Sequence, residues 1–81
     1  MASENSKASA AAQWMWDELQ RNGSLAQHTA VAEIAERFGD ELTYINDNGN
    51  PAIKREVLKL FKALHEGKAQ WFGRPDFYWR L

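Results

Sequence analysis

Residues 51–81 read PAIKREVLKLFKALHEGKAQWFGRPDFYWRL and join a basic helix to an aromatic hairpin. This stretch carries seven lysines and arginines against three acidic residues, a net charge of +4. The preceding 50 residues carry three basic and eight acidic residues, a net charge of −5. The total charge of −1 therefore conceals a strong separation of charge along the chain.

The first part of this stretch predicts an amphipathic helix over 51–66. Asn50 followed by Pro51 is typical of a helix start, with a cap residue before a proline at the first helical position. Glu66-Gly67 is expected to end the helix. The apolar face of the helix is predicted to be buried and comprises Ile53, Val57, Leu60, Phe61 and Leu64.

The last residues predict a hairpin of two strands, over 69–73 and 77–81. The parity of the connecting loop determines which ring lies beside Trp79 on the inner face. An even loop places Phe72 there, whereas an odd loop places Trp71 there. We favour the even loop, because it leaves Trp71 on the more polar side of the hairpin, but both registers stay open.

Two further helices are predicted upstream, over about 8–22 and 29–38. Thr29 is expected to cap the second helix, and Gly39 is expected to end it in the left-handed conformation. A brief extended piece is expected at Leu25, in the connection between the two helices.

The length of 81 residues allows one domain, which we place at 8–81 behind a polar tail over 1–7 that is expected to be disordered. Residues 40–50 are expected to form a packed loop, with one helical turn after Asp40. With no cysteine available for a disulfide, the ten aromatic side chains are expected to fill the core. No apolar run is long enough to span a membrane, and the composition favours a cytoplasmic protein.

The motifs of catalysis and metal binding are missing from the sequence. His65-Glu66 begins like a zinc protease motif, but the second histidine is replaced by Ala69. Residues 44–55 contain the glycine turn of a calcium loop, but they place Arg55 where the bidentate glutamate belongs. His28 and His65 are expected to be a cap-region and a helix-surface side chain. We therefore expect no enzyme, no cofactor and no metal.

The basic face of the third predicted helix is the strongest functional signal. Arg55, Lys59 and Lys62 cluster within about 60° at 100° per residue, and Lys54 lies near the start of the helix. Arg74 lies at the turn of the hairpin. Lysine and arginine provide affinity for DNA by displacing counterions, so a phosphate-contacting face is one interpretation. The other is an ordinary solvated helix face.

The aromatic side chains also allow two interpretations. Exposed rings such as Trp71 and Tyr78, close to Arg80, can stack on bases, whereas buried rings serve the core. Trp14 falls on the side of the first helix opposite the apolar face. It is therefore either covered by another element or part of a contact surface, such as a homodimer seam.

The element order, helix, short connection, two helices and hairpin, resembles the winged-helix variant of the helix-turn-helix fold. The segments AVAEIAERFG (30–39) and YINDNGNPAI (44–53), with Trp71 and Trp79-Arg80, are also similar to a group of short bacterial and phage-borne proteins of unknown function. The expected fold class is therefore α+β, mainly α and winged-helix-like, with three helices before a C-terminal β-hairpin.

The resemblance implies double-stranded DNA as the ligand of a small accessory regulator. It places Arg55, Lys59 and Lys62 at the duplex, Lys54 near the start of the recognition helix, and Arg74 at the tip of the wing. The interval of eleven residues between Gly39 and Pro51 departs from the usual tight turn of about three or four residues. Winged-helix domains also serve as protein-interaction modules, so a protein partner or a homodimer is the alternative.

Overall fold

The structure is a computed structural model that describes residues 3–73 and 77–81. Within these residues it contains three α-helices and two small antiparallel sheets, so the predicted class, α+β and mainly helical with a C-terminal hairpin, is confirmed. The elements, in chain order, are α1 (Ser3–Asn22), β1 (Ser24–Ala26), α2 (Gln27–Phe38), a 3₁₀ turn (Asp40–Leu42), β2 (Thr43–Ile45), β3 (Pro51–Ile53), α3 (Arg55–His65), β4 (Gln70–Phe72) and β5 (Tyr78–Arg80).

Helix α1 begins at Ser3, five residues before the predicted helix start at Ala8. Ala8 is buried, and the ammonium of Lys7 lies 2.5 Å from a carboxylate oxygen of Glu41. Lys7 and Ala8 therefore contact the rest of the domain, and α1 continues from them toward the N-terminus. The polar sequence of its first residues does not predict this part of the helix. The first two residues of the predicted tail lie outside the described residues.

Helix α2 begins at Gln27, and the predicted cap at Thr29 is wrong, because no side chain caps this helix. The backbone N–H of Gln27 donates instead to the carbonyl oxygen of Phe77, at 2.9 Å. The segment that leads into β5 therefore satisfies a backbone donor at the start of α2, directly after β1. The helix ends at Phe38 as predicted, but Gly39 adopts φ 98° and ψ 149°, which is not the left-handed helical conformation.

The segment between Gly39 and α3 folds into a hairpin, not the packed loop expected over 40–50. The expected helical turn after Asp40 is confirmed as the 3₁₀ turn, but β2 and β3 then pair in antiparallel register, with Tyr44 opposite Ala52. The predicted helix start at Pro51 is therefore wrong, since α3 begins at Arg55. The hairpin packs against α2.

The C-terminal hairpin is the predicted one, but it belongs to a three-stranded sheet in the order β1-β5-β4. The extended piece predicted at Leu25 is confirmed as β1, which pairs Leu25 with Trp79. Strand β4 pairs Trp71 with Trp79, so these two rings share a face and the favoured register, with Phe72 beside Trp79, is wrong. The predicted turn at Arg74-Pro75-Asp76 lies outside the described residues.

The core lies mainly between α1 and α3, and small side chains form much of it. Of the ten aromatic side chains, only Phe61 and Trp79 are buried, so the expectation of an aromatic core is largely wrong. Helix α1 contributes the buried side chains Ala8, Ala11, Ala12, Met15 and Leu19. Three of these five side chains are alanines, whose small volume permits close helix packing.

Candidate nucleic-acid interface

Three of the side chains predicted to contact nucleic acid lie on helix α3 and are exposed to solvent. Val57 and Phe61 are buried, which fixes the rotation of the helix, and Arg55, Lys59 and Lys62 are exposed. At 100° per residue these three positions span about 60° of the helix surface. They form one row of positive charge, which we call the α3 basic face.

The other predicted cations lie beside this row or outside the described part of the chain. Lys54 is half-buried and is the N-terminal flanking residue of α3, with an extended backbone. Arg74 lies outside the described residues, so its predicted position at the tip of the wing stays a prediction.

The α3 basic face has no carboxylate partner among the described residues. The ion pairs among the described residues all lie elsewhere and join Lys7 to Glu41, Arg21 to Glu18 and Arg37 to Glu33. The cations of the acidic first half are therefore neutralised locally, whereas those of α3 are left for solvent or a ligand.

Trp14, the predicted interface residue, is half-buried and packs at the edge of the core. The guanidinium carbon of Arg37 lies 5.5 Å from the centre of its ring, an arrangement typical of a cation–π contact. Arg37 also donates from Nε to Glu33 Oε1 at 2.7 Å, and this hydrogen bond raises the pKa of Arg37. Another element thus covers part of Trp14, and its role in an interface stays a prediction.

His65 is buried, with 7% of its surface exposed, so the predicted helix-surface position is wrong. Its Nδ1 accepts hydrogen bonds from the backbone N–H of Gly67, at 3.0 Å, and of Ala69, at 3.5 Å. Phe61 packs against its ring at 4.9 Å between centroids. Burial lowers the pKa of His65, and the charge of Lys62 lowers it further. The neutral imidazole thus holds the turn between α3 and β4.

A groove of about 490 Å³ opens between α3 and the C-terminal sheet. We call it the α3–β4 groove; its lining includes Phe61, Lys62 and His65 from α3, and Trp71 and Trp79 from the sheet. Trp71 is 47% exposed, and its ring lies 4.7 Å from that of Trp79. Lys62 belongs to both the groove and the α3 basic face, so the two features are continuous.

A second groove, of about 760 Å³, lies between α2 and the β2–β3 hairpin. Val31, Ala32 and Ala35 provide apolar lining, and Asn46, Asn48 and Asn50 provide amides from the hairpin. These side chains offer hydrogen bonds but no cation.

Within 3–73 and 77–81, no group of three or more histidine, aspartate or glutamate side chains is placed to hold a metal ion. In the same ranges, no helix combines the length and apolarity that crossing a bilayer requires.

Sequence reasoning missed the α3–β4 groove because it misplaced His65 and Trp71. The signal for His65 is its spacing: it follows Val57 and Phe61 at intervals of four residues, which keeps it near the buried side of the helix. No comparable signal exists for Trp71, because its side depends on the strand register.

The model of a family of unknown function (DUF6953) matches residues 7–81. No curated protein and no solved structure matches the sequence.

Proposed function

The chain belongs to this family of unknown function, and we propose that it is a small, non-enzymatic, winged-helix-like domain that contacts the backbone of duplex DNA through the α3 basic face. Such a domain acts as an accessory regulator in the cytoplasm. The carrying observation is the row of Arg55, Lys59 and Lys62, exposed and without a carboxylate partner among the described residues.

Two features of the fold support this proposal. Three helices precede the C-terminal hairpin, which is the order expected of a winged helix. The hairpin between α2 and α3 packs on α2, so the long interval before α3 is accommodated on another helix.

The proposal predicts binding that falls steeply with salt. Four cations, Lys54 with the three of the α3 basic face, neutralise about four phosphates, so affinity should fall about 100-fold between roughly 50 and 200 mM salt. The measurement is the anisotropy of a fluorescein-labelled duplex titrated with protein. Arg55→Ala with Lys59→Ala should weaken binding and reduce the slope of log affinity against log salt by about 2.

A charge-matched control separates a local contact from the net charge of the molecule. Lys7→Ala with Arg21→Ala removes the same charge from exposed positions on α1. This control should bind like the parent protein. Equal weakening by both double variants, or no binding at about 50 mM salt, contradicts the proposal.

A further inference from the structure

The α3–β4 groove has the shape and lining of a site for a flat aromatic group. Trp71, on the edge strand β4, is 47% exposed. Its ring lies 4.7 Å from Trp79 and 6.3 Å from Phe77, measured between centroids. The groove volume of about 490 Å³ is within the usual range of small-ligand sites. A ring entering the groove can stack against Trp71.

Polar groups accompany these rings. Because Nδ1 of His65 accepts two backbone hydrogen bonds, the proton of the neutral ring is on Nε2. Nε2 of His65 makes no hydrogen bond to the other described residues. Among the described residues, every fully buried side-chain nitrogen or oxygen has a hydrogen-bond partner, so Nε2 must be accessible to solvent. Gln27 also lines the groove and supplies an amide. Donors and an acceptor are thus available for the edge of a heterocycle.

The charge at the groove favours an anionic ligand. Lys62 lines the groove and belongs to the α3 basic face, with Lys59 and Arg55 beyond it on the same side of the helix. A phosphodiester chain that follows this row passes the mouth of the groove. The occupant that fits a ring site beside a row of cations is a base attached to such a chain.

We propose that the α3–β4 groove binds one base of single-stranded nucleic acid, stacked on Trp71, while Lys62 and Lys59 contact the adjacent phosphates. This inference rests on the proposed function, because it uses the same cations. It goes further by naming an unpaired base as the group that is recognised. Bases inside a duplex are paired and stacked, so they do not enter the groove unless they are extruded.

The test uses two labelled single strands of equal length and charge. One is an oligothymidine of about ten nucleotides, close to the site size of small single-strand binding domains; the other has the same phosphates and sugars but no bases. Fluorescence anisotropy should give about tenfold tighter binding to the base-bearing strand, as expected for stacking of one base. Trp71→Ala should remove this preference and leave binding to the base-free strand unchanged.

Phe72→Ala is the matched control variant. Phe72 is the next residue of β4 and is 38% exposed, but it lies on the opposite face of the sheet, where it stacks on Tyr78 at 5.0 Å. This variant should keep the preference for the base-bearing strand. Trp71→Leu retains an apolar cover over Trp79 and should lose the preference, which guards against a Trp71→Ala variant that fails to fold.

The outcomes distinguish this inference from the proposed function. Equal affinity for the two strands, or a preference that survives in both Trp71 variants, overturns the groove as a base site even if duplex DNA binds. Duplex binding through α3 with no preference for bases leaves the proposed function standing alone. A Trp71-dependent preference without duplex binding supports the groove and contradicts the duplex as the ligand.

Discussion

His65 contacts both the core of the domain and the turn that follows α3. Its ring packs against Phe61, and its Nδ1 receives the backbone N–H of Gly67 and of Ala69. Glu66, between His65 and Gly67, has φ 51°, in the left-handed region, so the chain leaves α3 abruptly. One neutral side chain therefore fixes the path from α3 to β4, and protonation of Nδ1 removes the acceptor on which that path depends.

We predict that acid destabilises the domain through His65. The pKa of His65 is lowered from 6.5 by burial, so the unfolded chain binds the proton more readily than the folded chain. The stabilisation contributed by neutral His65 is fully present above pH 6.5, and it is lost as the pH falls through the lowered pKa of His65 in the folded protein. Thermal melts between about pH 7.5 and 5 should show the midpoint falling, at roughly 4–8 °C per kcal/mol for a domain of this size.

His65→Phe tests the assignment of this pH dependence. The phenyl ring fills the site but has no acceptor for the N–H of Gly67, so the variant should lose about 1 kcal/mol at pH 7.5. It should also lose the pH dependence above pH 5. His28→Asn, at an exposed position, should keep it. A slope that persists in His65→Phe would assign the effect to other groups.

The β2–β3 hairpin illustrates how a local signal can favour the wrong element. Asn50-Pro51 fits a helix start, but Pro51 also fits a strand edge, where its missing N–H does no harm. Pro51 pairs with Ile45 in the hairpin, and the N–H of Lys54 donates to the carbonyl of Leu42 at 2.9 Å. The hydrogen bonds that settle the choice come from a segment several residues away, which helix-start rules do not consider.

Asn46 organises the tip of this hairpin, and its side-chain oxygen is the predicted source of the tip's stability. Oδ1 accepts from the N–H of Asn48 at 2.9 Å and of Asn50 at 3.0 Å. Asn46→Ala should lower the free energy of unfolding by about 1 kcal/mol, measured by urea denaturation. Asn46→Asp keeps the oxygen that accepts both hydrogen bonds and should stay within about 0.5 kcal/mol of the parent. Equal losses in the two variants would contradict this role.

Over the whole domain, sequence periodicity predicts the helices better than it predicts their surroundings. The buried positions of α1 were predictable because Ala8, Met15 and Leu19 repeat at helical spacing. The α3 basic face follows from the same arithmetic. The strand register does not, because one residue of slip exchanges Trp71 for Phe72 on the inner face. The groove, which depends on that register, was therefore beyond prediction.

The close packing of α1 on α3 gives a prediction of its own. Ala12 is 0% exposed, and nearby Ala10 is exposed on the same helix. Ala12→Leu should force the two helices apart or strain their side chains, at a cost of about 1–3 kcal/mol in the free energy of unfolding. Ala10→Leu adds the same atoms at the surface and should change stability by less than about 0.5 kcal/mol. Urea denaturation compares them, and equal effects would contradict tight packing at Ala12.

The pairing of β1 with β5 also sets the order in which the protein can fold during synthesis. Leu25 pairs with Trp79, 54 positions later in the chain. A ribosome adding about 5–20 residues per second takes about 3–10 s to cover that interval. During this time α2 and α3 are synthesised, while β1, which follows α1, has no partner strand. A nascent chain that stops before residue 78 therefore carries all three helices but no three-stranded sheet.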